Sequence, residues 1–125
     1  MGGFAQSFRD LDVYKESLLL SLEIHDFAKT LPVEERFVLA DQMRRASRSV
    51  PANISEAWRK RRYKAAFISK LSDSETEASE MQCWLDFSLS AGYMQKDSYE
   101  RFDGRYERIL SQLVTMIDGA DKWCQ

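Results

Sequence analysis

From residue 4 to residue 91 the chain contains no glycine, and its five glycines stand at 2, 3, 92, 104 and 119. Primed hairpin turns need a residue that tolerates positive φ, and phosphate-cradling or dinucleotide-binding loops need glycine so that the backbone can approach its ligand. An 88-residue stretch without one disfavours a hairpin-built β fold, a P-loop and a Rossmann-type turn. Val, Ile and Thr together number only 13 of 125 residues, which leaves little material for strands.

Apolar periodicity fills the gap with helices. A first helix reads from about Arg9 to Thr30, with one stripe of Leu11, Tyr14, Leu18 and Leu22 and a second of Val13, Leu20, Ile24 and Phe27. A bundle core needs one stripe, so the second, Val13 to Phe27, predicts contact with another subunit or with an unusually enveloping neighbour. Leu31-Pro32 ends this helix, and Pro32 with Glu34 and Glu35 makes a good first turn for a second helix over 33–61. Leu39, Met43, Ala46 and Val50 lie at core spacing there. Pro51 removes a backbone donor and opposes the carbonyl of Ser47, which predicts a kink or break, with Asn53 and Glu56 spaced as a capping pair for a restart.

A third helix spans 64–91, with Phe67, Leu71, Ser74, Ala78, Met81, Leu85 and Leu89 on one face and Gly92 as its stop. Asp97 and Glu100 read as the opening of a fourth, 97–121, whose Tyr99, Phe102, Tyr106, Ile109, Leu113, Met116 and Ala120 keep a 3-4 spacing. Four helices on short connections predict an all-α, antiparallel up-down-up-down four-helix bundle, a single domain over 1–125. A chain of this size buries enough surface to need no staples. Cys83 and Cys124 have no metal or disulfide spacing and read as free thiols in a reducing, cytoplasmic setting, with Cys83 packed as a small hydrophobe. No apolar run reaches the length of about 18 residues that a membrane span requires.

The formal net charge of -2 conceals an asymmetry. Residues 44–70 carry Arg44, Arg45, Arg48, Arg59, Lys60, Arg61, Arg62, Lys64 and Lys70 against Glu56 alone, a balance of +8; the remainder of the chain stands at -10. In WRKRRYK, 58–64, Trp58 and Tyr63 flank the cations and can stack on bases or pack over arginine stems. Two readings stand side by side: a polyanion-binding surface, or a solvated helix end whose cations face acidic side chains of a neighbouring helix or subunit. Asp73, Glu77 and Glu80 share one face of the third helix and are the natural receivers of such arginines. Glu80 reads as partly buried, paired with Arg44, Arg45 or the Asn53 amide. With His25 the only histidine, the Glu-x-x-His pairs of dinuclear carboxylate bundles are missing, so no metal or other cofactor is expected. Pairing His25 with Cys83 or Ser49 as base and nucleophile has no local catalytic signature behind it.

The stretch QMRRASRSVPANISEA, 42–57, carries a resemblance. Together with FRDLDVYKESLLL at the start, the Leu31-Pro32-x-Glu34-Glu35 turn and FISKLSDSETEASEMQCWLDFSLSAGYM, it resembles the four-helix-bundle proteins encoded in intervening sequences of bacterial 23S ribosomal RNA genes. The chain is also similar to the accessory variability determinant of diversity-generating retroelements, a basic, barrel-shaped pentamer that works with a reverse transcriptase and RNA. The resemblance implies a left-handed bundle assembled as a homopentamer, without an established activity, and nucleic-acid binding by analogy. Gln42, Arg45, Ser49, Pro51, Asn53 and Glu56 match its motif and Glu80 its helix-three acid, in roles that the resemblance implies are structural. Where relatives have glycine after the motif glutamate, Ala57-Trp58 stands here, which implies helix continuing. The resulting expectation is a non-enzymatic homo-oligomer that binds RNA or DNA through Arg44, Arg45, Arg48, Arg59, Lys60, Arg61, Arg62 and Lys64; the alternative is a protein-interaction scaffold.

Overall fold

Ser7 and Asp10 close a single 3-10 turn, Phe8–Asp10: the Ser7 hydroxyl accepts the Arg9 N–H at 3.2 Å, and the Asp10 carboxylate accepts the Ser7 N–H at 3.1 Å. In this computed structural model, which describes residues 5–124, the first helix follows that turn as α1, Asp12–Ala28, beginning three residues later than Arg9. The first stripe of α1 divides, with Leu11 in the core and Tyr14 packed against it, while Leu18 and Leu22 turn away. Val13, Leu20 and Ile24 are buried and Phe27 is half-buried against the core, so the stripe expected to meet another subunit is the intramolecular one. Ser17, Ser21 and Ala28 lie buried on that same side, small residues that let neighbouring helices approach closely. It is Leu18, Leu19 and Leu22 that face outward, 40%, 51% and 55% exposed.

After Pro32 the chain forms only a 3-10 turn, Val33–Glu35, and α2 runs over Leu39–Arg59 rather than 33–61. It continues unbroken through Pro51, which is buried. Asn53 caps nothing: it sits inside the helix, and its Nδ2 donates to the Ser49 carbonyl at 2.9 Å. Ala57 and Trp58 are buried within the last turns, where the sequence implied that helix would continue. α3 occupies Lys64–Ser90 and stops in a Schellman arrangement, the Tyr93 N–H on the Ser88 carbonyl and the Gly92 N–H on Leu89, with Gly92 at φ +78°. α4, Lys96–Asp118, opens after Gln95; Asp97 is its second residue and its carboxylate takes the N–H of Ser98 rather than capping the helix. A four-residue α5, Ala120–Trp123, follows Gly119, dividing the single helix expected over 97–121.

α1 packs on α2, α2 on α3, α3 on α4, and α4 returns to α1, so four long helices surround one core. Phe67, Leu71, Met81 and Leu85 of α3 and Leu113 of α4 are fully buried, each contributing on the order of 1.5–3 kcal/mol through burial. Leu89 is half-buried and Ser88 takes the inner position beside it. Buried serines are satisfied: Ser17, Ser21, Ser47 and Ser88 donate to carbonyls of their own helices, and Ser74 of α3 donates to the Val50 carbonyl of α2 at 2.9 Å. Cys83, expected in the core, is exposed. Among the described residues no strand occurs, and no helix is long and apolar enough to cross a membrane.

Candidate nucleic-acid interface

Because α2 buries Met43, Ala46, Ser47, Val50, Ile54 and Ala57, the residues between them turn outward together. Asp41, Arg44, Arg45, Arg48, Ser49 and Ala52 line one shallow depression of about 490 Å³ on that face. Arg59 continues the row two turns beyond Ala52, and Lys60, Arg61 and Arg62 occupy the turn into α3. From Arg45 to Arg59 the row is about 21 Å long, the rise of about six base pairs of duplex DNA.

Two of the nine cations of this segment are tied to carboxylates: Lys64 to Asp121 at 2.6 Å, and Lys70 to Glu56 at 2.7 Å. The Asp121 and Glu56 hydrogen bonds hold the two ammonium groups above the usual lysine range. Arg44, Arg45, Arg48, Arg59, Lys60, Arg61 and Arg62 make no ion pair among the described residues. Arg48 donates through Nη2 to His25 Nδ1 at 3.2 Å, which requires the tautomer with Nδ1 unprotonated. Arg61 is held against the protein: its guanidinium lies 3.6 Å from the Trp58 ring centroid and its Nε donates to the Trp58 carbonyl at 2.9 Å. Trp58 itself is 6% exposed and meets Trp123 edge-on, so it is not available to stack on a base. Tyr63 is, at 61% exposed.

The acidic row of α3 does not receive the arginines. Glu80, half-buried as expected, accepts from the Trp84 indole Nε1 at 2.9 Å instead of pairing with Arg44, Arg45 or Asn53. Glu77 is raised above the usual carboxylate range, first by burial and then by Glu80 beside it, while the charge of Arg45 pulls the other way. Three of the remaining motif residues are bonded within the protein. Ser49 donates to the Arg45 carbonyl, Asn53 to that of Ser49, Glu56 holds Lys70, and Gln42 is half-buried. Among the described residues no three His, Cys, Asp or Glu side chains converge as metal ligands would.

Two cations outside the basic segment, Lys29 and Arg36, share a second hollow with Arg44. The charge count over 44–70 passes them by, and no local signal joins them, since only the turn between α1 and α2 brings them together.

The family model of 23S rRNA-intervening sequence proteins matches residues 9–115. A crystal structure from Bacteroides thetaiotaomicron, described as a protein with unknown function from the S23 ribosomal protein family, is similar with a TM-score of 0.77 and 31% identity, over 85% of this chain and 95% of that one. No curated protein matches the chain.

Proposed function

The chain belongs to the 23S rRNA-intervening sequence protein family, and from that premise we propose that it is a non-enzymatic, cytoplasmic homo-oligomer that binds nucleic acid along the outer face of α2. The observation that carries this reading is the set of seven basic side chains, Arg44 to Arg62, that have no carboxylate partner among the described residues. Cations without carboxylate partners, gathered on α2 and the turn that follows it, are what a phosphate backbone needs, and they bring affinity without sequence preference. The catalytic pairings drawn on His25 lose support, because its Nδ1 already takes a donor from Arg48 and the Ser49 hydroxyl donates to its own helix.

The finer architecture belongs to the same reading: an antiparallel up-down-up-down bundle with α2 bent at Pro51. Cross-helix contacts descend along α3 as they ascend along α2, with Met43 near Ser88, Val50 near Ser74 and Glu56 near Lys70, which supports opposite directions. Pro51 leaves the Ser47 carbonyl without its helical donor, a local cause for a bend. Self-association, to the pentamer that the resemblance implies, is supported by Leu18, Leu19 and Leu22, an outward apolar row that a soluble monomer has little reason to expose. Leu18→Glu with Leu22→Glu is expected to yield the monomer by light scattering, and a wild-type monomer at micromolar concentration overturns the assembly.

Filter binding of a structured RNA across salt concentrations tests the interface. Affinity is expected to fall steeply with salt and to collapse when Arg45, Arg48, Arg59 and Arg62 become Glu. Affinity flat in salt, or unchanged in that variant, overturns it, and capture of one specific protein after nuclease treatment favours the scaffold alternative in its place.

A further inference from the structure

Where the C-terminal end of α1 meets the N-terminal end of α2, Ala28, Lys29, Leu31, Val33, Arg36, Ala40 and Arg44 line a half-open hollow of about 400 Å³. Its lining divides into three cations and four apolar side chains, with no carboxylate among them. Arg44 Nε is shielded from solvent and has no hydrogen-bond partner among the described residues, although a buried N–H of a guanidinium ordinarily has one. Neither Arg36 nor Arg44 makes an ion pair, and Lys29 has only a long contact of 3.6 Å to Asp26, both side chains being largely exposed. Glu35, the carboxylate nearest in sequence to Arg36, is turned elsewhere: it accepts the Tyr93 hydroxyl at 3.0 Å and the Leu39 N–H at 3.4 Å. The Glu35 hydrogen bond in turn raises the Tyr93 phenol above its ordinary range.

We infer that this hollow is a binding site for a phosphomonoester carried on an apolar or heterocyclic body. Two guanidinium groups and an ammonium supply forked and point-charge donors for a dianionic head, which a monoanionic carboxylate leaves partly unmatched. Leu31, Val33, Ala28 and Ala40 supply the wall for the body, and the volume suits a ligand of mononucleotide size. Arg44 also lines the depression on the outer face of α2, so the two hollows adjoin. The head group therefore has two possible sources, a free organic phosphate or the 5′-terminal phosphate of a bound RNA strand. The site itself does not depend on the α2 row binding RNA.

Titration calorimetry with phenyl phosphate and with inorganic phosphate tests the site, alongside a short RNA bearing either a 5′-phosphate or a 5′-hydroxyl. A free ligand gives saturable phenyl phosphate binding at least tenfold tighter than inorganic phosphate, lost tenfold or more in Arg36→Ala and Arg44→Ala and unchanged in Arg59→Ala. An RNA end gives instead a tenfold preference for the 5′-phosphorylated strand that disappears in Arg36→Ala. Arg36 is exposed, so that variant carries the test even where Arg44→Ala fails to fold. The inference is overturned when neither phosphate probe binds preferentially, or when the preference survives Arg36→Ala. Saturable phenyl phosphate binding in a wild-type protein that binds no RNA keeps the site while removing the nucleic-acid reading.

Discussion

Arg101 and Arg105 of α4 share a single carboxylate, Glu23 of α1, at 2.9 and 2.7 Å, whereas Arg45, Arg48 and Arg59 of α2 and Arg62 of the turn after it reach none among the described residues. The difference follows from where each helix sits. α1 and α4 are the first and last long helices, with no loop joining them, and their seam is where an ionic bridge helps hold the ring closed. α2 meets α1 and α3 through broad apolar faces, and no other element among the described residues covers its outer surface. Arg101 and Arg105 are therefore part of the fold, while the α2 arginines carry charge that no carboxylate among the described residues neutralises.

The largest expected effect breaks that division or confirms it. Arg45→Glu, Arg48→Glu, Arg59→Glu and Arg62→Glu together should lower RNA affinity more than ~100-fold near physiological salt and shallow the dependence of log K on log salt by about three for a single strand. The melting temperature should barely change. Arg101→Gln with Arg105→Gln should do the reverse, lowering the melting temperature while leaving RNA affinity within about threefold. Filter binding and thermal melts on the same preparations check both, and a pair of variants that lose affinity equally would erase the distinction.

Next in size is Glu23→Ala, expected to cost about 1 kcal/mol in denaturant unfolding, because it strands two guanidinium groups, one of them with a side chain only 16% exposed. Arg48→Ala, in a solvated position, should fall within about 0.5 kcal/mol of wild type.

Smaller still is the pH dependence of the seam. Burial alone pushes the Glu23 carboxyl up, but hydrogen bonds and charge from Arg105 and Arg101 together outweigh it and hold the carboxyl below its ordinary value. A depressed carboxyl contributes stability that is present above its unfolded pKa and lost as pH falls through the folded one. Unfolding measured from pH 5 to pH 3 should thus show a decline that is shallower in Glu23→Gln, by less than about 1 kcal/mol, since the side chain is 33% exposed and screened. Glu77 on α3 runs the other way. Its carboxyl is raised by burial and by Glu80, so its charge opposes folding at neutral pH and Glu77→Gln should stabilise slightly there. A steeper acid decline in Glu23→Gln would remove the seam's ionic role.

Much of this was legible in the residues. The core positions of α2, α3 and α4 follow their spacing, and Gly92 ends α3 because the chain needs positive φ there. Other features were hidden for physical reasons. On α1 both stripes are apolar, and the one buried is that which carries Ser17, Ser21 and Ala28, whose small side chains lower its apparent hydrophobicity while permitting close packing. Asn53 has a cap's identity, but the helix continues through Pro51 and turns its amide back onto the Ser49 carbonyl. The basic segment was countable; its pairing was not. Glu23 lies 78 residues from Arg101, and nothing local distinguishes an arginine that has such a partner from one that lacks it.

Glu56 offers the smallest and most discriminating change, because it is the only acidic residue within 44–70 and its carboxylate holds Lys70 at 2.7 Å. The Glu56 side chain is 54% exposed and that of Lys70 33%, so the pair is screened and Glu56→Gln should leave the melting temperature unmoved within measurement. The same substitution converts Lys70 from a paired cation to a free one beside the α2 row. If unpaired cations are what a phosphate backbone uses, RNA affinity should rise, by no more than about threefold, with a slightly steeper salt slope. A fall in affinity would instead make Glu56 itself part of the contact, and place the boundary between structural and available charge somewhere other than at carboxylate pairing.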